Sequence, residues 1–152
     1  MTPGGVGPML ILITLPYAAL VLVLMNLMPD FLKIGFLDVT WVKYLAYLLI
    51  GAGVIFWISS VITFGRNFSK GTLITTGTYG LCRNPIYASF IVFILPGLSL
   101  LFASGLLFTL TLVFYLNFKL CIHGERMILR RTFGEAYLQY EKEVREVLPI
   151  PK

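Results

Sequence analysis

From Met9 to Met28 the chain runs for twenty residues without a charged side chain. At 1.5 Å of rise per residue, a helix of that length matches a hydrocarbon core about 30 Å thick. Three more apolar runs follow, at 41–64, 86–102 and 106–122. Backbone groups in lipid must be satisfied within the segment, so each run is read as a helix. The expectation is an all-α integral membrane fold of about four transmembrane helices. Composition agrees: of 152 residues 58% are hydrophobic and 12% charged, against about 25% charged in soluble domains. The spans use about half the chain, which leaves one membrane-embedded domain, 1–152, and little for a soluble module.

The connections are distinct in kind. Pro29-Asp30 closes the first span, and a polar segment with Lys33 and Asp38 leads to Trp41 and Tyr44, which suit an interfacial belt. Gly51 and Gly53 are expected to let another helix approach closely. The stretch 65–85 breaks the apolar pattern with Arg66, Asn67, Lys70, Arg83 and a Thr-Thr-Gly-Thr run, and is read as a loop outside the lipid. Pro85 stands where a helix begins, since its missing N–H costs nothing there. Pro96-Gly97 is expected to kink the third span. Ala103-Ser104-Gly105 is long enough only for a tight turn, so the third and fourth spans form an antiparallel hairpin. The segment 123–148 follows as a cap, amphipathic from Thr132. Phe133, Tyr137, Tyr140, Val144 and Leu148 recur at helical spacing opposite Glu135, Gln139, Lys142, Glu143 and Glu146. A membrane-surface anchor is its plainest role.

Basic residues are retained on the cytoplasmic side. The 65–85 loop has three and the tail from Lys119 seven, whereas the first connection has Lys33 with Lys43 just beyond, and the hairpin turn none. Both termini and the 65–85 loop are therefore expected in the cytoplasm. The first run lacks a basic start and a small-residue cleavage site, and reads as an uncleaved span. The net charge of +5 is accounted for by topology and anionic lipid, which argues against nucleic acid. Cys82 and Cys121 fall near the cytoplasmic face, where thiols stay reduced. With His123 as the one histidine and no ligand pair at zinc spacing, no metal site is expected.

The hairpin brings two polar clusters to one side, the start of the third span and the end of the fourth. Arg83 and Glu125 are expected to lie near each other there, with Asn117, Cys121 and Glu125 on one helix face. Bland roles stand beside this one. Arg83 fits a headgroup contact, Glu125 a solvated ion pair with Arg130, Lys119 a snorkelling lysine, His123 an interfacial residue, and Tyr79 and Tyr87 the aromatic belt.

The string Gly77-Thr78-Tyr79-Gly80-Leu81-Cys82-Arg83-Asn84-Pro85-Ile86-Tyr87 resembles a G-P-Y-x-x-x-R-[HN]-P-x-Y motif. It is that of the isoprenylcysteine carboxyl methyltransferase and phospholipid methyltransferase superfamily of membrane enzymes. Glu125, then Phe133-Gly134-Glu135-Ala136-Tyr137 and Tyr140, looks like the family's E-x-x-L…F-G-x-x-Y-x-x-Y signature, and Val144 to Pro149 its V-x-x-x-x-P ending. The resemblance covers roughly Gly71 to Pro149. It implies a small helical membrane domain with a cytosolic cofactor pocket, capped by the C-terminal segment, and a lipophilic or amphiphilic substrate entering from the bilayer.

Carried over by position, the resemblance puts S-adenosyl-L-methionine contacts on Gly71, Thr72, Leu73, Ile74, Tyr79, Asn84, Pro85, Ile86, Tyr87 and Glu125; Arg83 and Glu125 are taken as the catalytic residues, Glu125 holding the cofactor and Arg83 positioning within the same pocket. The chemistry is coherent. A carboxylate suits the cofactor's ammonium, and backbone N–H groups of a loop and helix start suit its carboxylate. Thr78, Gly80, Asn84, Ser89, Cys121 and Gly124 depart from the commoner residues. Cys121 stands where isoprenylcysteine enzymes have an arginine that can hold the acceptor carboxylate, leaving Arg83 or Lys119 to orient an anion. An NADPH-dependent membrane reductase and a non-catalytic membrane scaffold are the alternative readings.

Overall fold

The computed structural model describes residues 7–68 and 71–150. Among them there is no β-strand, and five helical segments carry the fold. These are α1 (Gly7–Leu27), α2 (Thr40–Phe68), the short α3 (Thr78–Leu81), α4 (Pro85–Leu101) and α5 (Gly105–Glu143).

Helices α1, α2 and α5 are long and apolar enough to cross a bilayer, and α4 is a shorter apolar helix. In α1 and α2 only 17% of the apolar window is buried within the molecule. Leu12, Leu27, Tyr47 and Ile55 all stand exposed. Water would penalise so much uncovered apolar surface at about 25 cal/mol per Å²; lipid does not, and the protein is an integral membrane protein.

Small residues allow a close contact between α2 and α4. A Cβ on Gly53 of α2 would lie 2.7 Å from Ile94 and Phe93 of α4, and one on Gly97 would lie 2.7 Å from Ile50. Either would force the two helices apart. Gly51, by contrast, faces open space, so only one of the two expected glycines serves the contact. The expected kink at Pro96-Gly97 is absorbed one turn earlier. Ser89–Ile94 is wound as a π-helix, and the N–H of Leu95 donates to Phe90 O, five residues back. Proline cannot donate to the carbonyl four residues before it, and a π-turn accommodates such a break in the ladder.

At one end of the bundle the first connection meets the hairpin turn. Ile34 N–H donates to Ala103 O at 2.7 Å, and Gly105 N–H to Leu32 O at 2.8 Å. Near that end Val21, Leu106, Leu107 and Leu110 form one apolar core. A second core joins Leu10, Cys82, Ala88, Phe118, Cys121, Ile122 and Val147. It thereby ties α1, α4, α5 and the C-terminal segment to the 77–85 motif. Between the two, Asn117 Nδ2 donates to Thr14 Oγ1 at 3.4 Å and the hydroxyls of Tyr17 and Thr109 lie 2.8 Å apart.

The C-terminal part differs from the sequence expectation. The fourth span and the cap do not separate at 122–123: helix continues from Gly105 to Glu143, interrupted at Gly134, where φ is 52° and ψ −128°. Between Ile122 and Phe133 only Gly124 weakens a helix, and it keeps helical geometry, so the helix runs on beyond the apolar stretch until Gly134, at positive φ, permits the reversal. The cap helix proper therefore follows Gly134 and ends at Glu143 rather than 148.

Candidate functional site

The motif region is built as a tight loop against the end of α2. Gly80 N–H donates to Gly77 O at 3.0 Å and Cys82 N–H to Thr78 O at 3.2 Å, while the Thr78 hydroxyl lies 3.0 Å from that of Ser60. Pro85 then starts α4 and is buried. Upstream, Gly71 has a φ of 63°, Thr72 is exposed, and Leu73 and Ile74 are half-buried.

The C-terminal segment closes onto this loop through backbone as well as side chains. Arg83 N–H donates to Arg145 O at 2.8 Å, and both the backbone N–H and the side-chain amide of Asn84 donate to Glu146 O at 3.1 Å. The Tyr140 hydroxyl donates to Tyr79 O at 2.6 Å. Tyr137 and Tyr140 are buried as the amphipathic pattern requires, but Val147 is buried and Leu148 exposed. The helix has ended by Glu143, so the pattern's 3.6-residue period no longer holds there.

Charges gather around this closure. Arg83 Nη1 donates to Glu141 Oε1 at 2.5 Å, and Arg130 Nε and Nη2 donate to Glu141 Oε2 at 3.0 and 2.6 Å. Arg126 Nε is 3.5 Å from Glu141 Oε1, and Arg126 and Lys119 both pair with Glu146. Arg83 is thus engaged by the C-terminal helix, and Arg130 by the same Glu141 carboxylate. Glu146, expected on the solvated face, has a side chain only 13% exposed. Burial alone would raise the Glu141 carboxyl, but hydrogen bonds from Arg83 and Arg130 outweigh it and hold the group below the usual carboxylate range.

Arg126, Glu141 and Glu146 were not singled out from the sequence for any functional role. A signal for one existed: Glu141 follows Tyr137 by four residues, and so belongs to the buried face of its helix.

Glu125 lies on α5, half-buried, with its Oε2 buried. Its charge acts on the hydroxyls of both Tyr79 and Tyr87. Burial first, and Glu125 second, push the Tyr79 hydroxyl well above the usual tyrosine range, so it stays protonated at neutral pH. The Tyr87 ring packs on Phe118 with centroids 5.2 Å apart. The motif loop, the start of α4 and the far part of α5 thereby bring Tyr79, Tyr87 and Glu125 into one cluster. A partly buried carboxylate among phenolic hydroxyls favours a cationic group.

Cys82 and Cys121 are free and buried. Burial raises the Cys82 thiol to about 12, which leaves it without thiolate character.

Helical, membrane-embedded and closed at one end by its own C-terminal segment, the chain matches the phospholipid methyltransferase family model over residues 41–136. It belongs to that family. A protein-S-isoprenylcysteine O-methyltransferase of Xenopus laevis is 28% identical over 124 residues, covering 76% of this chain and 43% of that protein. A probable protein-S-isoprenylcysteine O-methyltransferase of Oryza sativa subsp. indica is 29% identical over 119 residues, covering 72% and 62%. Protein-S-isoprenylcysteine O-methyltransferase A of Arabidopsis thaliana is 27% identical over 151 residues, covering 92% and 77%. The chain thus spans about half the length of the Xenopus relative and somewhat more of the rice one. No solved structure matches it.

Proposed function

We propose that the protein transfers a methyl group from S-adenosyl-L-methionine to a lipophilic or amphiphilic acceptor, at a site on the cytoplasmic side of the membrane. The observation that carries this reading is a partly buried Glu125 carboxylate within electrostatic reach of Tyr79 and Tyr87, beneath a C-terminal segment hydrogen-bonded to the same motif. Family membership and the names of the relatives support the reaction class.

The residues fit the cofactor's charge pattern. Glu125 would hold its ammonium, and the loop Gly71–Ile74 with Tyr79 and the Asn84–Tyr87 helix start would line the rest of its pocket. Bound there, the cofactor supplies an electrophilic methyl group on a sulfonium. The segment after Gly134 excludes water, and a water-poor site favours a reaction in which charge is dispersed. Arg83 acts as a positioning residue, holding that segment closed through Glu141 without touching the acceptor. The excess of basic residues near the site supports a cytoplasmic position for it and for both termini, with α4 taken as the fourth span.

The relatives' names specify an isoprenylcysteine acceptor for those proteins. Here Cys121, buried in the apolar core, cannot hold a carboxylate as an arginine would, and the acceptor class we assign is correspondingly broad. Isothermal titration in detergent with S-adenosylmethionine, S-adenosylhomocysteine and NADPH tests the proposal. Binding of the first two supports it, NADPH binding alone indicates a reductase, and no binding indicates a scaffold.

A further inference from the structure

A groove of about 560 Å³ opens along the side of the molecule, lined by Ile91 and Val92 of α4, Phe108, Leu112 and Tyr115 of α5, and Leu148. Its volume lies within the range of pockets that take small amphiphiles, about 300–1,000 Å³. Lys119, Arg145 and Glu146 stand at its polar end.

Two features fix the occupant's chemistry. Phe108, Leu112, Tyr115 and Lys119 follow one another at three- and four-residue steps and so share a face of α5. Most of that face belongs to the membrane-spanning stretch. Leu112 is 57% and Leu148 47% exposed, so the mouth of the groove faces acyl chains. At its end two cations, Lys119 and Arg145, meet one anion, Glu146. That carboxylate is already shared between Lys119 and Arg126, which leaves positive charge in excess.

The groove is separate from the cluster around Glu125. Six residues of helix part Lys119 from Glu125, a rotation of about 120° at 100° per residue. Between the two faces lie Phe118 and Ile122, both buried in the core.

We infer that this groove is a binding site for one anionic membrane lipid, its chain lying against α4 and α5 and its head group bridging Lys119 and Arg145. Because Lys119 belongs to α5 and Arg145 to the C-terminal segment, the lipid fastens that segment to the bundle. The inference does not depend on the methyl transfer reading.

Native mass spectrometry tests it, on full-length protein released from detergent after incubation with equal amounts of phosphatidylglycerol and phosphatidylcholine. The wild type should retain one phosphatidylglycerol in preference. Lys119→Gln with Arg145→Gln should lower that preference about tenfold or more, as expected from the attraction of two basic groups. Thr111→Phe, which fills the groove without changing charge, should abolish retention of either lipid, with circular dichroism confirming unchanged helix content. Equal retention of the two lipids by the wild type would overturn the inference. So would phosphatidylglycerol retention unaffected by Thr111→Phe, which would mark a diffuse basic belt rather than a site.

Discussion

Arg83 and Glu141, 58 residues apart in sequence, meet through a hydrogen bond of 2.5 Å with side chains only 10% and 16% exposed. A second arginine, Arg130, holds the other carboxylate oxygen. Glu141→Gln should therefore cost about 2 kcal/mol, the scale of a hydrogen bond to a charged group. Thermal unfolding in detergent measures it. Arg83→Lys should cost less than Glu141→Gln, because the lysine keeps the charge and loses only the planar fork.

The same pair gives the closure a pH dependence. Glu141 titrates lower in the folded protein than the 4.5 of a free glutamate. Its contribution is then fully present above about pH 4.5 and is lost as pH falls through the lower, folded value, because the unfolded chain binds the proton first. Limited proteolysis of the segment after Gly134 should accelerate as pH drops through that window. In Glu141→Gln the rate should be already high and flat over it.

Gly134 is the reversal point on which the closure depends. At φ 52° and ψ −128° a side chain is strained by about 1–3 kcal/mol, so Gly134→Val should release the C-terminal segment while leaving Gly105 to Phe133 helical. Circular dichroism should change little, and proteolysis near residues 135–148 should become rapid. Resistance equal to that of the wild type would show that the reversal tolerates a Cβ.

Orientation is testable against a quiet background, since Cys82 and Cys121 are buried. Phe36, 80% exposed in the first connection, and Lys142, exposed on the C-terminal helix, supply the two sites. An impermeant maleimide on sealed cells should label Phe36→Cys directly and Lys142→Cys only after permeabilisation. The reverse pattern would invert the assignment.

Hydropathy made the helices and the tight hairpin turn legible, because charge-free runs in lipid have few structural options. The convergence of the motif loop with the C-terminal segment was also legible through the resemblance. Three things were not. The continuity of α5 past Ile122 escaped because hydropathy marks where lipid ends, not where helix ends. The π-turn at Ser89–Ile94 was hidden because Pro96 announces a broken ladder without saying where the break is absorbed. Glu141 and Glu146 were obscured because charge on an amphipathic helix is ordinarily read as solvated, and here two arginines and a lysine converge on those carboxylates from α5 while Arg83 reaches over from the motif loop.

The central claim is that Glu125 holds a cationic cofactor beneath the closed C-terminal segment, and the affinity of Glu125→Gln for S-adenosylmethionine tests it most directly. Loss of a charged partner in a partly desolvated site costs about 2–5 kcal/mol. Calorimetric titration should therefore show binding weakened well over tenfold with unfolding temperature nearly unchanged, while Glu135→Gln, on the exposed face, binds as the wild type does. Wild-type affinity in Glu125→Gln would contradict the account.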